Sequence, residues 1–146
     1  PAKMLCTGKP SLERLIAESP VGAAIALPGF TSDIASAYAD ADVFVLSSFY
    51  EGQPNVVLEA ILHGCPVAAA GAEAVQEMLV RIGLGACWTA NGEFCENIHG
   101  LIAHALASSP DYWRAARERL LELTDLNVVA SLYLGLCRDA AYELVI

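Results

Sequence analysis

Basic residues are scarce in this chain. Eight Lys and Arg stand against 17 Asp and Glu, for a net charge of −9. That sign argues against nucleic acid or an anionic membrane surface as the main partner. It does not exclude a phosphate-bearing small molecule, because the amino end of a helix can hold phosphate without many lysines. Long apolar runs are missing too: none reaches the roughly 20 residues that a membrane helix needs. Cysteine patterns for metal are also absent. The five cysteines, Cys6, Cys65, Cys87, Cys95 and Cys137, are scattered in apolar contexts without a C-x-x-C spacing. They read as buried free thiols of a reducing cytoplasm. His63, His99 and His104 do not cluster, and no Ser/His/Asp or Cys/His arrangement can be assembled from the chain.

What the chain has in excess is apolar side chains. They make up 55% of the residues, and mean hydropathy is +0.47. Such a surplus suits an α/β domain whose sheet is buried on both faces. It also fits some apolar surface that expects a partner. A length of 146 residues suits one domain with a real core.

Short apolar runs alternate with helical patterns, the signature of a parallel α/β sheet. Strands are expected at Ala2 to Cys6, Ala23 to Leu27, Val43 to Ser47, Pro66 to Ala70 and Ala86 to Thr89. Helices are expected at Ser11 to Glu18, Ser32 to Ala39, Asn55 to His63, Ala74 to Ile82, Cys95 to Ala107 and Asp111 to Leu123, with a tail at Val128 to Val145. Thr31 or Ser32 is the expected cap of the second helix. Gly83 is the expected stop of the fourth.

The most informative block is Glu51-Gly52-Gln53-Pro54-Asn55-Val56-Val57-Leu58-Glu59-Ala60. It follows the apolar run Val43 to Ser48 and opens a helix whose buried face is expected at Leu58, Ile61 and Leu62. Pro54 suits a first helical turn. One carboxylate, Glu51, therefore falls in a strand-to-helix loop, and another, Glu59, about one turn into the helix. Backbone N–H groups near residues 53 to 56 lie between them and can hold an anion. A diphosphate at a helix start, with carboxylates to take sugar hydroxyls, describes a nucleotide-sugar site. Asn55 also has a plain explanation as a helix cap. For Glu51 and Glu59, a solvated loop or surface glutamate is the plainer alternative.

The full string, Ser47-x3-Glu51-Gly52-x-Pro54-Asn55, Leu58-Glu59-Ala60 and Gly64-x-Pro66-Val67, resembles the retaining family-4-type glycosyltransferases of the GT-B fold. The likeness is to their carboxyl-terminal, donor-binding domain and runs from about Lys3 to about Thr124. It implies a Rossmann-like parallel sheet with helices on both faces, one half of a GT-B enzyme. Residues 1–124 would form that domain and 125–146 a helical tail. The resemblance implies Glu51 as the catalytic carboxylate beside the donor sugar and Glu59 as the carboxylate that takes the ribose hydroxyls. Gly52, Gln53, Pro54 and Asn55 would line the sugar and diphosphate. Gly29, Phe30 and Thr31, at a strand's carboxyl end, would sit by the base, although an ordinary strand-ending turn explains them equally well.

Two loops depart from the family pattern. Thr7-Gly8-Lys9-Pro10 keeps one glycine of a Gly-x-Gly-Pro-like turn, and Ala74-Val75-Gln76-Glu77 stands where Gly-x-Pro-Glu is usual. The resemblance implies a nucleotide-sugar substrate, an acceptor of unknown class, a cytoplasmic or membrane-peripheral enzyme, and no metal or other cofactor. It also implies that the acceptor-binding amino-terminal domain, and the strand–helix unit that opens the donor domain, lie outside this chain. Without that unit, the strands Ala2–Cys6 and Val43–Ser47 are expected to pair directly, because ladder hydrogen bonds are hard to forgo. The rival reading is a non-catalytic module that binds a nucleotide sugar or a protein partner.

Overall fold

The computed structural model describes residues 4–5, 10–48, 50–51, 54–71, 73–90 and 93–126. The expected tail helix lies outside them. The chain forms two compact units, residues 1–41 and 42–146.

The first unit holds β1 (Met4–Leu5), α1 (Pro10–Glu18), β2 (Ile25–Ala26) and α2 (Ile34–Ala39). The strands pair in parallel, Met4 with Ile25 and Leu5 with Ala26. α1 opens on a proline, whose missing N–H costs nothing at that position. A one-turn 3-10 segment, Gly22–Ala24, leads into β2, so the strand is shorter than the expected Ala23 to Leu27. Gly22 is required there, since a Cβ would run into the Ile16 carbonyl. The cap of α2 is Asp33 rather than Thr31 or Ser32. Its Oδ1 accepts from the Ser36 N–H at 3.1 Å, and its Oδ2 accepts from the Ser36 hydroxyl at 2.7 Å. Those bonds hold the Asp33 carboxyl below its ordinary range. Tyr38 is the one buried residue among the described side chains of this unit.

The second unit carries β3 (Phe44–Ser47), α3 (Asn55–Leu62), β4 (Val67–Ala70), α4 (Glu73–Arg81), β5 (Trp88–Thr89), α5 (Phe94–Ala107) and α6 (Pro110–Thr124). The sheet order is β3-β4-β5, and every pair is parallel. Crossovers between parallel strands are right-handed, which puts α3 and α4 on one face. α5 runs against β4 and β5 and covers the other. The fold is therefore α/β, a parallel sheet flanked by helices, as expected. All four residues of β4 are fully buried. Three of them are alanines, so helices from both sides approach the strand closely. The expected pairing of β1 with β3 is not found among the described residues, where β1 pairs with β2 and β3 pairs with β4. Each of these strands finds its ladder within its own unit.

The buried face of α3 is Val57, Ala60 and Ile61, turned about one residue from the expected Leu58, Ile61 and Leu62, which keep only Ile61 in common. Positions i, i+3 and i+4 share a face, and small Ala60 lets that face approach the sheet. In α5, Leu101 and Ala105 are buried, whereas Leu106 is exposed.

α3 and α4 end in the same way. Gly64 (φ 78°) and Gly83 (φ 85°) take the left-handed conformation just past the two ends. The Cys65 N–H reaches the Ala60 carbonyl at 2.9 Å, and the Leu84 N–H reaches the Leu79 carbonyl at 2.7 Å. Both are 6→1 closures of the Schellman type. Cys65 and Cys87 are buried free thiols. The indole N–H groups of Trp88 and Trp113 are buried without a hydrogen-bond partner among the described residues.

A larger side chain at the centre of β4 has nowhere to go. Ala69→Leu should destabilise the chain by about 1–3 kcal/mol through overpacking, read from chemical denaturation. A loss under about 0.5 kcal/mol would mean that the helices can move apart. Native-state hydrogen exchange should find the amides of Val67–Ala70 slowest and those of Ile25–Ala26 much faster, because local protection follows local burial.

Candidate functional site

The candidate site is the junction between β3 and α3. β3 ends at Ser47 and α3 begins at Asn55. In open α/β sheets, ligands bind beyond the carboxyl ends of strands, which is where this loop lies. Glu51 is half-buried in it. Tyr50, its neighbour, is 93% exposed. Gly52 and Gln53 lie outside the described residues. Pro54 is buried and is the residue that precedes the helix, rather than part of its first turn. Its carbonyl accepts from the N–H groups of Val57 at 2.9 Å and Leu58 at 3.3 Å, which starts the helical ladder. The cap position is held by Pro54, which makes no side-chain cap bond, and Asn55 stands exposed at the first helical position rather than at the cap. Glu59 is half-buried. It points away from the Val57, Ala60 and Ile61 face, since it lies between them at the wrong rotation to share it.

Gly29, Phe30 and Thr31 follow β2 and belong to the first unit. Gly29 has φ 75°, the left-handed region that favours glycine, with open space where a Cβ would stand. Phe30 is 91% exposed. Thr31 Oγ1 accepts from the Asp33 N–H at 3.1 Å, a local turn bond. The residues of Thr7-Gly8-Lys9 lie outside the described ones. In the other departing loop, Ala74 to Glu77 are helical, within α4.

At the carboxyl end of β5, Thr89 is buried and is tied to the start of α5. Asn97 Nδ2 donates to Thr89 Oγ1 at 2.9 Å and to Glu93 Oε2 at 3.3 Å. Sequence reasoning gave this trio no role. The Asp-x-Asp string Asp40-Ala41-Asp42 lies just before β3, at the amino end of the strand and away from Glu51. Among the described residues, no three His, Cys, Asp or Glu side chains gather as a metal site. No helix among them is long and apolar enough to cross a membrane.

A cavity of about 400 Å³ opens at the opposite end of the sheet, lined by Asp42, Pro66, Leu106, Trp113, Arg114 and Arg117 among others. Asp42 and Pro66 mark the amino ends of β3 and β4, so this space lies away from Glu51. Here α6 clasps the two helices that end in glycine. Arg117 Nε donates to the Leu62 carbonyl at 2.8 Å. Arg119 Nη1 donates to the Ile82 carbonyl at 3.3 Å, and the Tyr112 hydroxyl to the Gly83 carbonyl at 3.3 Å. A Cβ at Gly83 would collide with the Arg119 guanidinium. Tyr112 also lies 3.9 Å from Cys87 Sγ. Burial, and then the neighbouring Cys87, push the Tyr112 hydroxyl up to about 12. Burial likewise raises the thiols of Cys65 and Cys87.

A parallel sheet covered on both faces, with a glutamate-bearing loop running from strand to helix at its carboxyl end, defines a Rossmann-like α/β domain. The sequence pattern of the glycosyl transferases group 1 family matches residues 1–104, and the chain belongs to that family. A search among curated proteins gives no significant match.

The weakened acidities of Tyr112, Cys65 and Cys87 set a pH window. Unfolded, Tyr112 titrates near its ordinary 10.0, whereas folded it holds its proton to about 12. The folded state thus binds more protons in between, and stability falls with rising pH. The contribution is complete below about pH 10 and is lost as pH climbs toward about 12. Cys65 and Cys87 begin the same loss from their ordinary 9.0. Denaturation midpoints should therefore drop above pH ~9. Tyr112→Phe should flatten the part of the curve above pH ~10; an unchanged slope would assign the loss elsewhere.

Proposed function

We propose that this chain is the donor-binding part of a retaining glycosyltransferase, which moves a sugar from a nucleotide sugar to an acceptor. The observation that carries the reading is the placement of the Glu51 to Glu59 block in the folded chain. Glu51 follows the carboxyl end of β3 and Glu59 lies within α3, in a chain of the glycosyl transferases group 1 family. Backbone N–H groups at a helix start, together with the helix dipole, favour a diphosphate.

The roles divide by chemistry. In the transfer, the bond from the anomeric carbon to the diphosphate oxygen breaks, and the nucleoside diphosphate leaves with the electron pair. A bond from the acceptor oxygen to the same carbon forms, and the acceptor proton departs to the leaving diphosphate or to solvent. Positive charge develops on the sugar ring between these events. Glu51, in the loop, is suited to stabilise that charge and to take a sugar hydroxyl. Glu59 is suited to accept the two vicinal ribose hydroxyls, which a carboxylate does well. Gly52, Gln53, Pro54 and Asn55 would line the sugar and diphosphate. The family resemblance assigns Gly29, Phe30 and Thr31 to the base. A GT-B enzyme closes two domains around its substrates, and this domain would supply the donor side.

Calorimetry and thermal-shift screening of UDP-, GDP- and ADP-sugars test the reading. One class should bind, and Glu59→Ala should weaken it by about 1–3 kcal/mol, the range for lost charged hydrogen bonds. In an enzyme that includes the acceptor domain, Glu51→Ala should lower kcat far more than donor affinity, because its interaction strengthens in the transition state. Equal effects of both substitutions on both parameters would contradict the division of roles.

A further inference from the structure

The last turn of α3 is closed by a side chain from far along the chain. A helix leaves its final four carbonyls without intrahelical partners. In α3 these belong to Glu59, Ala60, Ile61 and Leu62. Backbone groups take three of them. The His63 N–H reaches Glu59 at 3.0 Å, the Cys65 N–H reaches Ala60 at 2.9 Å, and the Gly64 N–H reaches Ile61 at 3.0 Å. The fourth, Leu62, accepts from Arg117 Nε at 2.8 Å, across 55 residues of sequence. The bond is charge-assisted, and it puts a cation at the negative end of the helix dipole.

That turn also carries Glu59. Its side chain stands away from the Val57, Ala60 and Ile61 face, so core contacts do not aim it. Its direction follows from the backbone of the turn, and α3 is only 8 residues long. If the turn frays, the carboxylate moves with it. α6, which holds Arg117, is itself anchored by buried Trp113, Ala116 and Leu120 and packs on α3.

We propose that Arg117 is a positioning residue for the nucleotide-sugar site, fixing the final turn of α3 and thereby the Glu59 carboxylate. The inference rests on the reading given under Proposed function. α4 supplies a matched control. Arg119 makes the same kind of contact just past its end, at Ile82, and α4 carries none of the proposed donor residues.

The experiment is calorimetric titration of the full chain with UDP, GDP and ADP. For whichever probe binds the native chain, Arg117→Ala should raise Kd roughly two- to thirtyfold, the span of coupling through packed networks. Arg117→Lys should recover part of the loss, since an ammonium still donates to the carbonyl. Arg119→Ala should lower Tm comparably and leave Kd within about twofold. In a Glu59→Gln background the Arg117→Ala effect should largely vanish, because the two act in series. Should Arg117→Ala not fold, Arg117→Lys against Arg119→Lys makes the same comparison at smaller amplitude. An equal shift from both arginine positions, or none from Arg117, overturns the proposal. If native chain binds a probe and Glu59→Gln weakens it while Arg117→Ala does not, this inference alone falls. If the native chain binds no probe, the donor-site reading falls and takes the inference with it.

Discussion

The fold of the larger unit depends on one constraint, the burial of β4 on both faces. Val67, Ala68, Ala69 and Ala70 are fully shielded, and each backbone group of such a strand needs a ladder partner. β3 and β5 supply these partners, in parallel register. Parallel pairing demands a crossover between each pair of strands, and those crossovers are α3 and α4. Small alanine side chains then bring the helices close, and their core faces follow: Val57, Ala60 and Ile61 on α3, and Val75 and Leu79 on α4. The loop that bears Glu51 is where it is because β3 must turn back over β4.

Electrostatics serves the ends of the helices more than the surface. The exposed pairs Arg14–Glu18, Arg81–Glu77 and Arg114–Asp111 are local, and such pairs contribute little. Arg117 and Arg119 instead meet backbone carbonyls at or just beyond the ends of α3 and α4, where partial negative charge accumulates. In a chain of net charge −9, using scarce cations this way couples α6 to both crossover helices.

Much of this architecture is legible in the residues. Alternating apolar runs and helical periods announce the parallel sheet, and Gly83 marks the end of α4. The β3–α3 block stands out because a carboxylate, a proline and an apolar helical run occur together. Three features are not legible. The buried face of α3 is rotated from the naive choice because Ala60 counts as core only when a sheet lies beneath it. Asp33 wins the cap of α2 over Thr31 and Ser32 because both of its oxygens reach Ser36, a matter of loop geometry rather than residue type. The Arg117 contact joins residues too distant for any periodicity to relate. The candidate site reads more clearly than its surroundings, since its residues crowd into one stretch while the Arg117 contact comes from α6.

The two indoles have a spectroscopic consequence. The chain has two tryptophans, Trp88 on β5 and Trp113 on α6, and both belong to the larger unit. Their N–H groups are shielded from water and meet no hydrogen-bond acceptor among the described residues. Indoles in such surroundings emit toward the blue and move to the red when the sheet opens. Intrinsic emission is thus a built-in gauge of the larger unit, where both indoles sit.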